Sequence, residues 1–160
     1  MKYEIKQKIF SFGDKFIIKD EIESPRYAVR GQIFSFGKKL SIEDLAGNEL
    51  VYIEQKLFKF LPEYNIFIRG EQVATVKKEF TFFAPKFNIE SNMGNYDMQG
   101  EIFSHEFEIL KGGEVVASVS KQWFSFSDTY GADISENENQ AFMLALVIVI
   151  DQVLYDNKNK

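Results

Sequence analysis

"QAFMLALVIVIDQVLYD", residues 140–156, decides how this chain folds, because Ala141–Ile150 is a run of ten apolar residues without a break. Crossing a bilayer takes about 20 predominantly apolar residues. This run is half that length, and Asp151 and Gln152 follow it at once. A carboxylate held in the bilayer interior is costly. A helix that is apolar on every side and too short to span must be enclosed by protein. Just upstream, "SENE" (Ser135–Glu138) reads as a capping box, in which Ser135 accepts from a backbone N–H and Glu138 reaches back. The predicted helix therefore occupies about residues 136–155 and sits in the core.

What surrounds it is legible in repeats. "YAVRGQIFS" from Tyr27 and "YDMQGEIFS" from Tyr96 share Tyr, Gly, Ile, Phe and Ser in register, and "IFS" recurs at Ile9–Ser11. A second unit starts at Gly47, Gly70 and Gly112, and each copy runs through alternating residues to an F-x-F. Successive side chains of a strand point to opposite faces, so both rings of an F-x-F would share one face. Phe58/Phe60, Phe80/Phe82 and Phe124/Phe126 are thus expected to drive ring pairs into a common core. "AGNE", "RGEQ" and "KGGE" (from Ala46, Arg69 and Lys111) are tight-turn sequences, suited to positive φ at Gly or Asn. The pattern predicts about twelve short antiparallel strands over residues 3–134. No linker interrupts it, so residues 1–160 form one mainly β (α+β) domain, a closed barrel around the C-terminal helix.

Composition narrows the function classes. The 160 residues include 17 Phe, an excess suited to pleated surfaces. With no Cys, disulfides, thiolate metal sites and a cysteine nucleophile are excluded. The opening "MKYEIKQKIFSF" lacks an apolar signal-peptide core, which makes a cytoplasmic setting the expectation. Net charge is −5, divided as +3 over residues 1–89 and −8 over 90–160. That balance argues against nucleic acid, which demands a dense basic face.

Catalytic chemistry has little to stand on. The single histidine, His105, has no nucleophile elbow and no second His for a metal. In "IFSHEFEI" it reads as a surface or strand-end residue. No glycine-rich phosphate loop is present. Asp151 is the residue that physics singles out, since an acid on an enclosed helix must find a partner or reach a polar mouth. It is expected either to accept from backbone N–H groups or a wall Lys or Arg, or to line a small polar pocket. Candidates for an anionic lipid or phosphate are Arg26, Arg30, Lys38, Lys39, Arg69, Lys77, Lys78 and Lys86. Lys77 and Lys78, being adjacent, should point to opposite faces of their strand.

The ending "SDTYGADISENENQAFMLALVIVIDQVLYD", with "KIFSFGDKFIIKDE" and "YAVRGQIFSFGKKLSIEDLAGNELVYIEQKL" near the start, resembles the LURP-one-related family. That family lies within the Tubby C-terminal-like fold group, alongside phospholipid scramblases. The resemblance covers nearly the whole chain and implies a twelve-stranded closed barrel threaded by a hydrophobic C-terminal helix. It carries over no settled activity, and with no catalytic motif, one His and no Cys in the chain, neither enzyme activity nor a cofactor is expected. It implies a non-enzymatic binding or scaffold domain with a protein partner, or peripheral binding of phospholipid or phosphoinositide head groups at a membrane, as in Tubby-like proteins. By analogy with scramblases, Asp128 and Asp133 in "SDTYGADISENEN" become calcium candidates, although their spacing does not match an EF-hand loop.

Overall fold

The computed structural model describes residues 1–6, 15–32, 37–124 and 128–158, with side chains as far as Leu154. The first six strands are β1 (Lys2–Lys6), β2 (Lys15–Asp20), β3 (Pro25–Gly31), β4 (Lys39–Glu43), β5 (Glu49–Gln55) and β6 (Glu63–Ile68). The second six are β7 (Glu71–Glu79), β8 (Lys86–Ser91), β9 (Tyr96–Glu101), β10 (Glu106–Lys111), β11 (Glu114–Ser120) and β12 (Thr129–Ile134). Each pairs antiparallel with its neighbours in sequence, and β12 pairs with β1, so the twelve close into one barrel. A 3-10 turn at Ile102–Ser104 links β9 to β10, and one helix, α1 (Gln140–Lys158), follows β12.

Alternation supplies the inner wall. Leu40 and Ile42 on β4, Val51 and Ile53 on β5, and Tyr64 and Ile66 on β6 are all buried. Leu40 stands opposite Ile53, which in turn stands opposite Ile66. Such cross-strand pairs of branched residues fix the register that keeps the apolar face inside. A barrel of twelve strands is too wide for wall side chains alone to fill. The 19-residue helix, roughly 28 Å long, occupies that space, and every residue from Ala141 to Leu154 is buried. The all-round apolar segment is the core, as its sequence predicts. Among the described residues no helix is long and apolar enough to cross a membrane.

Two expectations need correction. The helix begins at Gln140 and not near residue 136, and its cap is Asn139, whose Oδ1 accepts from the Phe142 N–H at 3.0 Å. Ser135–Glu138 makes a separate turn, in which the Glu138 N–H donates to the Ser135 carbonyl at 3.0 Å. Nor do the described F-x-F rings enter the core. β5 stops at Gln55 and β7 at Glu79, so Phe58, Phe60, Phe80 and Phe82 lie in links beyond the strand ends and are exposed. Strand alternation does not act on a residue that has left the strand. Phe124 is half-buried on the outer wall beside Trp123, and Phe126 lies outside the described residues. A Cβ on Gly131 would stand 2.5 Å from the Trp123 ring and 2.9 Å from Phe124, so only glycine lets these rings lie flat there.

Antiparallel connectivity gives the barrel two distinct ends. Odd-numbered strands finish at one, termed the rim, and even-numbered strands at the other, termed the base. Gly47 and Gly70 turn the chain at the base with φ of 89° and 77°. The helix enters there, where the Tyr3 hydroxyl meets Gln140 Oε1 at 3.0 Å. It then runs toward the rim.

Candidate functional site

The repeats are strand-length measures that deliver aromatic residues to one end. Each Gly-to-F-x-F unit comprises a base turn, an odd strand (β5, β7 or β11) and the link beyond it. The two described links between β5 and β6 and between β7 and β8 therefore place Phe58, Phe60, Phe80, Phe82 and Phe83 together at the rim, joined by Phe103 from the β9–β10 link. Phe60 is 95% exposed, Phe83 94% and Phe82 85%. Soluble surfaces rarely show contiguous apolar patches of this kind without a use for them. Phe10, Phe12, Phe34 and Phe36 lie outside the described residues.

The links are shaped, not loose. Lys56 closes the first by pairing with Glu63 at 3.3 Å, and the Lys56 N–H donates to the Glu63 carbonyl at 2.8 Å. The Thr81 hydroxyl donates to the Ala84 carbonyl at 2.7 Å within the second, and Phe80 meets Phe82 edge-on with ring centroids 5.2 Å apart. Phe58 has φ of 59°, an outlier for a bulky residue and a mark of local strain. Between the links opens a cleft of 370 Å³ walled by Phe60, Phe80, Phe83 and Phe103, with Lys78 in its side.

Beneath the rim is a buried polar cluster. His105 follows the 3-10 turn with φ of 55° and donates from Nε2 to Asp151 Oδ1 at 2.7 Å. Its ring lies 4.9 Å from that of Tyr130. All three are buried. Burial, and then the Asp151 charge, push the Tyr130 phenol well above its ordinary pKa. His105 Nδ1, the Tyr130 hydroxyl and Gln152 Oε1 have no hydrogen-bond partner among the described residues. The expected surface His105 is thus an interior residue, and the partner of Asp151 is neither a backbone N–H nor a wall Lys or Arg. One enclosed acid and a lone imidazole beside apolar neighbours were the signal for this pairing, which 46 residues of separation conceal.

The eight basic candidates do not form one patch. Arg26 is held at the base by Asp20 at 2.8 Å. Although burial opposes it, Arg26 and the N–H groups of Ser24 and Ile22 keep the Asp20 carboxyl below its ordinary range. Arg69 occupies the β6–β7 turn, also at the base. Arg30 reaches Glu43 at 3.3 Å and Lys77 reaches Glu90 at 3.7 Å, both on the outer wall. Lys38, Lys39, Lys78 and Lys86 stand at the rim, with Lys86 3.6 Å from Glu79. Lys77 and Lys78 do face opposite ways: Lys78 follows Ala74 and Val76 on the inward side and so enters the cleft. Asp128 comes just before β12 and Asp133 lies within it, about 16 Å apart at strand rise, which separates the two calcium candidates. No group of three or more His, Asp or Glu among the described residues could hold a metal ion.

The order of strands, the enclosed helix and the matching of residues 1–151 to the LURP-one-related family model settle the kinship. The chain belongs to the LURP-one-related family. It is 41% identical over 156 residues to the uncharacterized protein YxjI of Bacillus subtilis (strain 168), covering 98% of this chain and 95% of that one. An X-ray structure of a protein from Arabidopsis thaliana superposes with a TM-score of 0.68 at 16% identity, covering 95% of this chain and 91% of that one. The plant protein shares the fold. Within this LURP-one-related barrel, the aromatic rim is the feature that core packing does not explain.

Proposed function

We propose that this LURP-one-related domain is a non-catalytic binding module and that the aromatic rim is the surface through which it docks. The carrying observation is the near-complete exposure of Phe60, Phe82 and Phe83 on links held in shape by internal bonds. Burying each exposed ring against a partner gains about 1.5–3 kcal/mol, which the free protein does not realise. The enclosed helix supports binding over catalysis, because it fills the cavity that a small substrate would otherwise enter. His105 and Asp151 face each other inside the wall, and their mutual bond fits a structural pair.

The test compares the full chain with two variants in fractions of its own host, membranes and soluble proteins separately. One variant carries Phe58→Ser, Phe60→Ser, Phe82→Ser and Phe83→Ser. The other carries Glu21→Ser, Glu23→Ser and Asp44→Ser at the base. Association lost by the first variant and retained by the second supports the reading. Equal association of all three proteins removes it.

A further inference from the structure

Taking the rim as the docking surface, we infer that its occupant is the interfacial layer of an anionic lipid membrane. The argument rests first on shape. Phe58, Phe60, Phe82 and Phe83 protrude from separate links at one end of the barrel, an arrangement that meets a broad surface end-on. A groove for a peptide strand or helix would instead hold its anchors in half-buried walls.

Charge supplies the second argument. The described links at the rim contain Lys38, Lys56, Lys59 and Lys121 against Asp128, a net of +3. The links at the base contain Arg69 against Glu21, Glu23, Asp44, Glu136 and Glu138, a net of −4. The described links are therefore basic at one end of the barrel and acidic at the other. Near an anionic leaflet this polarity turns the rim inward and the base away. Each lysine held close to such a surface strengthens association about fivefold.

The third argument is local. Lys59 stands between Phe58 and Phe60 in "FKF". Rings that sink into the boundary of head groups and acyl chains leave the lysine's long stem to carry its ammonium back to the phosphates. Lys78 occupies the wall of the cleft behind them, where a lipid phosphate between the rings meets a cation. A second copy of the chain fits less well, since rim against rim brings like charges together.

The experiment uses flotation of the full chain with vesicles of phosphatidylcholine alone and of phosphatidylcholine with phosphatidylglycerol. Glycerophosphoglycerol, which carries the head group without acyl chains, serves as a soluble competitor. Binding is expected on the anionic vesicles, weaker on the neutral ones, and undiminished by the competitor. The four-Phe→Ser variant should bind at least about tenfold less, and Lys59→Glu about tenfold less or more. Orientation is read separately with Phe82→Trp at the rim and Leu45→Trp in the exposed base turn. Brominated acyl chains should quench the first and not the second, above the shared Trp123 background. Three results overturn the inference: no binding by the folded chain at low salt, equal quenching of the two tryptophans, or a rim-dependent dimer in place of vesicle binding. Absent vesicle binding alongside rim-dependent association with a host protein would remove the membrane and leave the rim as the docking surface.

Discussion

His105 Nε2 lies 2.7 Å from Asp151 Oδ1, joining the wall of the barrel to the helix it encloses with both side chains buried. This bond ties the β9–β10 link to the rim-facing part of α1. Removing either partner alone leaves a buried polar group unsatisfied, which costs about 3–5 kcal/mol where charge is involved. His105→Leu and Asp151→Leu are each expected to lose stability on that order in urea unfolding. The double variant should recover a large part of the loss, because apolar replacement of both members removes the desolvation burden. Additive losses in the double variant would show that the two side chains act independently.

The helix start gives a second, smaller measurement. Asn139 Oδ1 accepts the Phe142 N–H at 3.0 Å, so Asn139→Ala should cost about 1 kcal/mol. Ser135→Ala should cost less than about 0.5 kcal/mol, because the turn there uses the Ser135 carbonyl and not its hydroxyl. Equal effects at the two positions would restore the capping box that "SENE" suggests.

These two sites show what a sequence reading could reach. Ala141–Ile150 has no polar face, so enclosure follows from physical chemistry alone, and the turns at Gly47 and Gly70 follow from their need for positive φ. The destination of the F-x-F rings was hidden, because alternation holds only while a strand continues. The available signal was proline: Pro62 and Pro85 come just after the aromatic runs, and proline is poorly tolerated within a sheet. The pairing of His105 with Asp151 depends on tertiary closure, which no local pattern encodes. The rim, too, exists only once alternate links gather at one end.

Tyr130 sets an alkaline limit. Burial, and then Asp151, raise its phenol well above the ordinary value, so the folded state holds the proton more tightly than the unfolded chain. Its contribution is complete below about pH 10, the ordinary tyrosine value, and is lost as pH rises from there toward the folded value. Tyr96 adds to this slope, since burial and then Glu138 push its phenol up to about 12. Tyr130→Phe removes one ionisation from the core and a hydroxyl without a partner among the described residues. The variant should match the parent within about 1 kcal/mol near neutrality and fall less steeply above pH 10. Unfolding titrations at a series of alkaline pH values check this, and an unchanged slope would contradict it.

The rim separates function from folding in a way that a core site cannot. Phe60, Phe82 and Phe83 are almost fully exposed, whereas Phe107 on β10 is buried against the helix core. Each rim Phe→Ser change should alter stability by no more than about 0.5 kcal/mol, while Phe107→Ala should cost about 3–5 kcal/mol. Phe58 adds a distinction of its own, because its φ of 59° is one that glycine adopts freely. Phe58→Gly should be neutral or stabilising by up to about 1 kcal/mol, against the usual direction for trimming a large apolar residue. Thermal and urea unfolding of the five single variants test both claims. A rim variant that loses as much stability as Phe107→Ala would make those rings part of the fold's core and leave the barrel without an exposed docking surface.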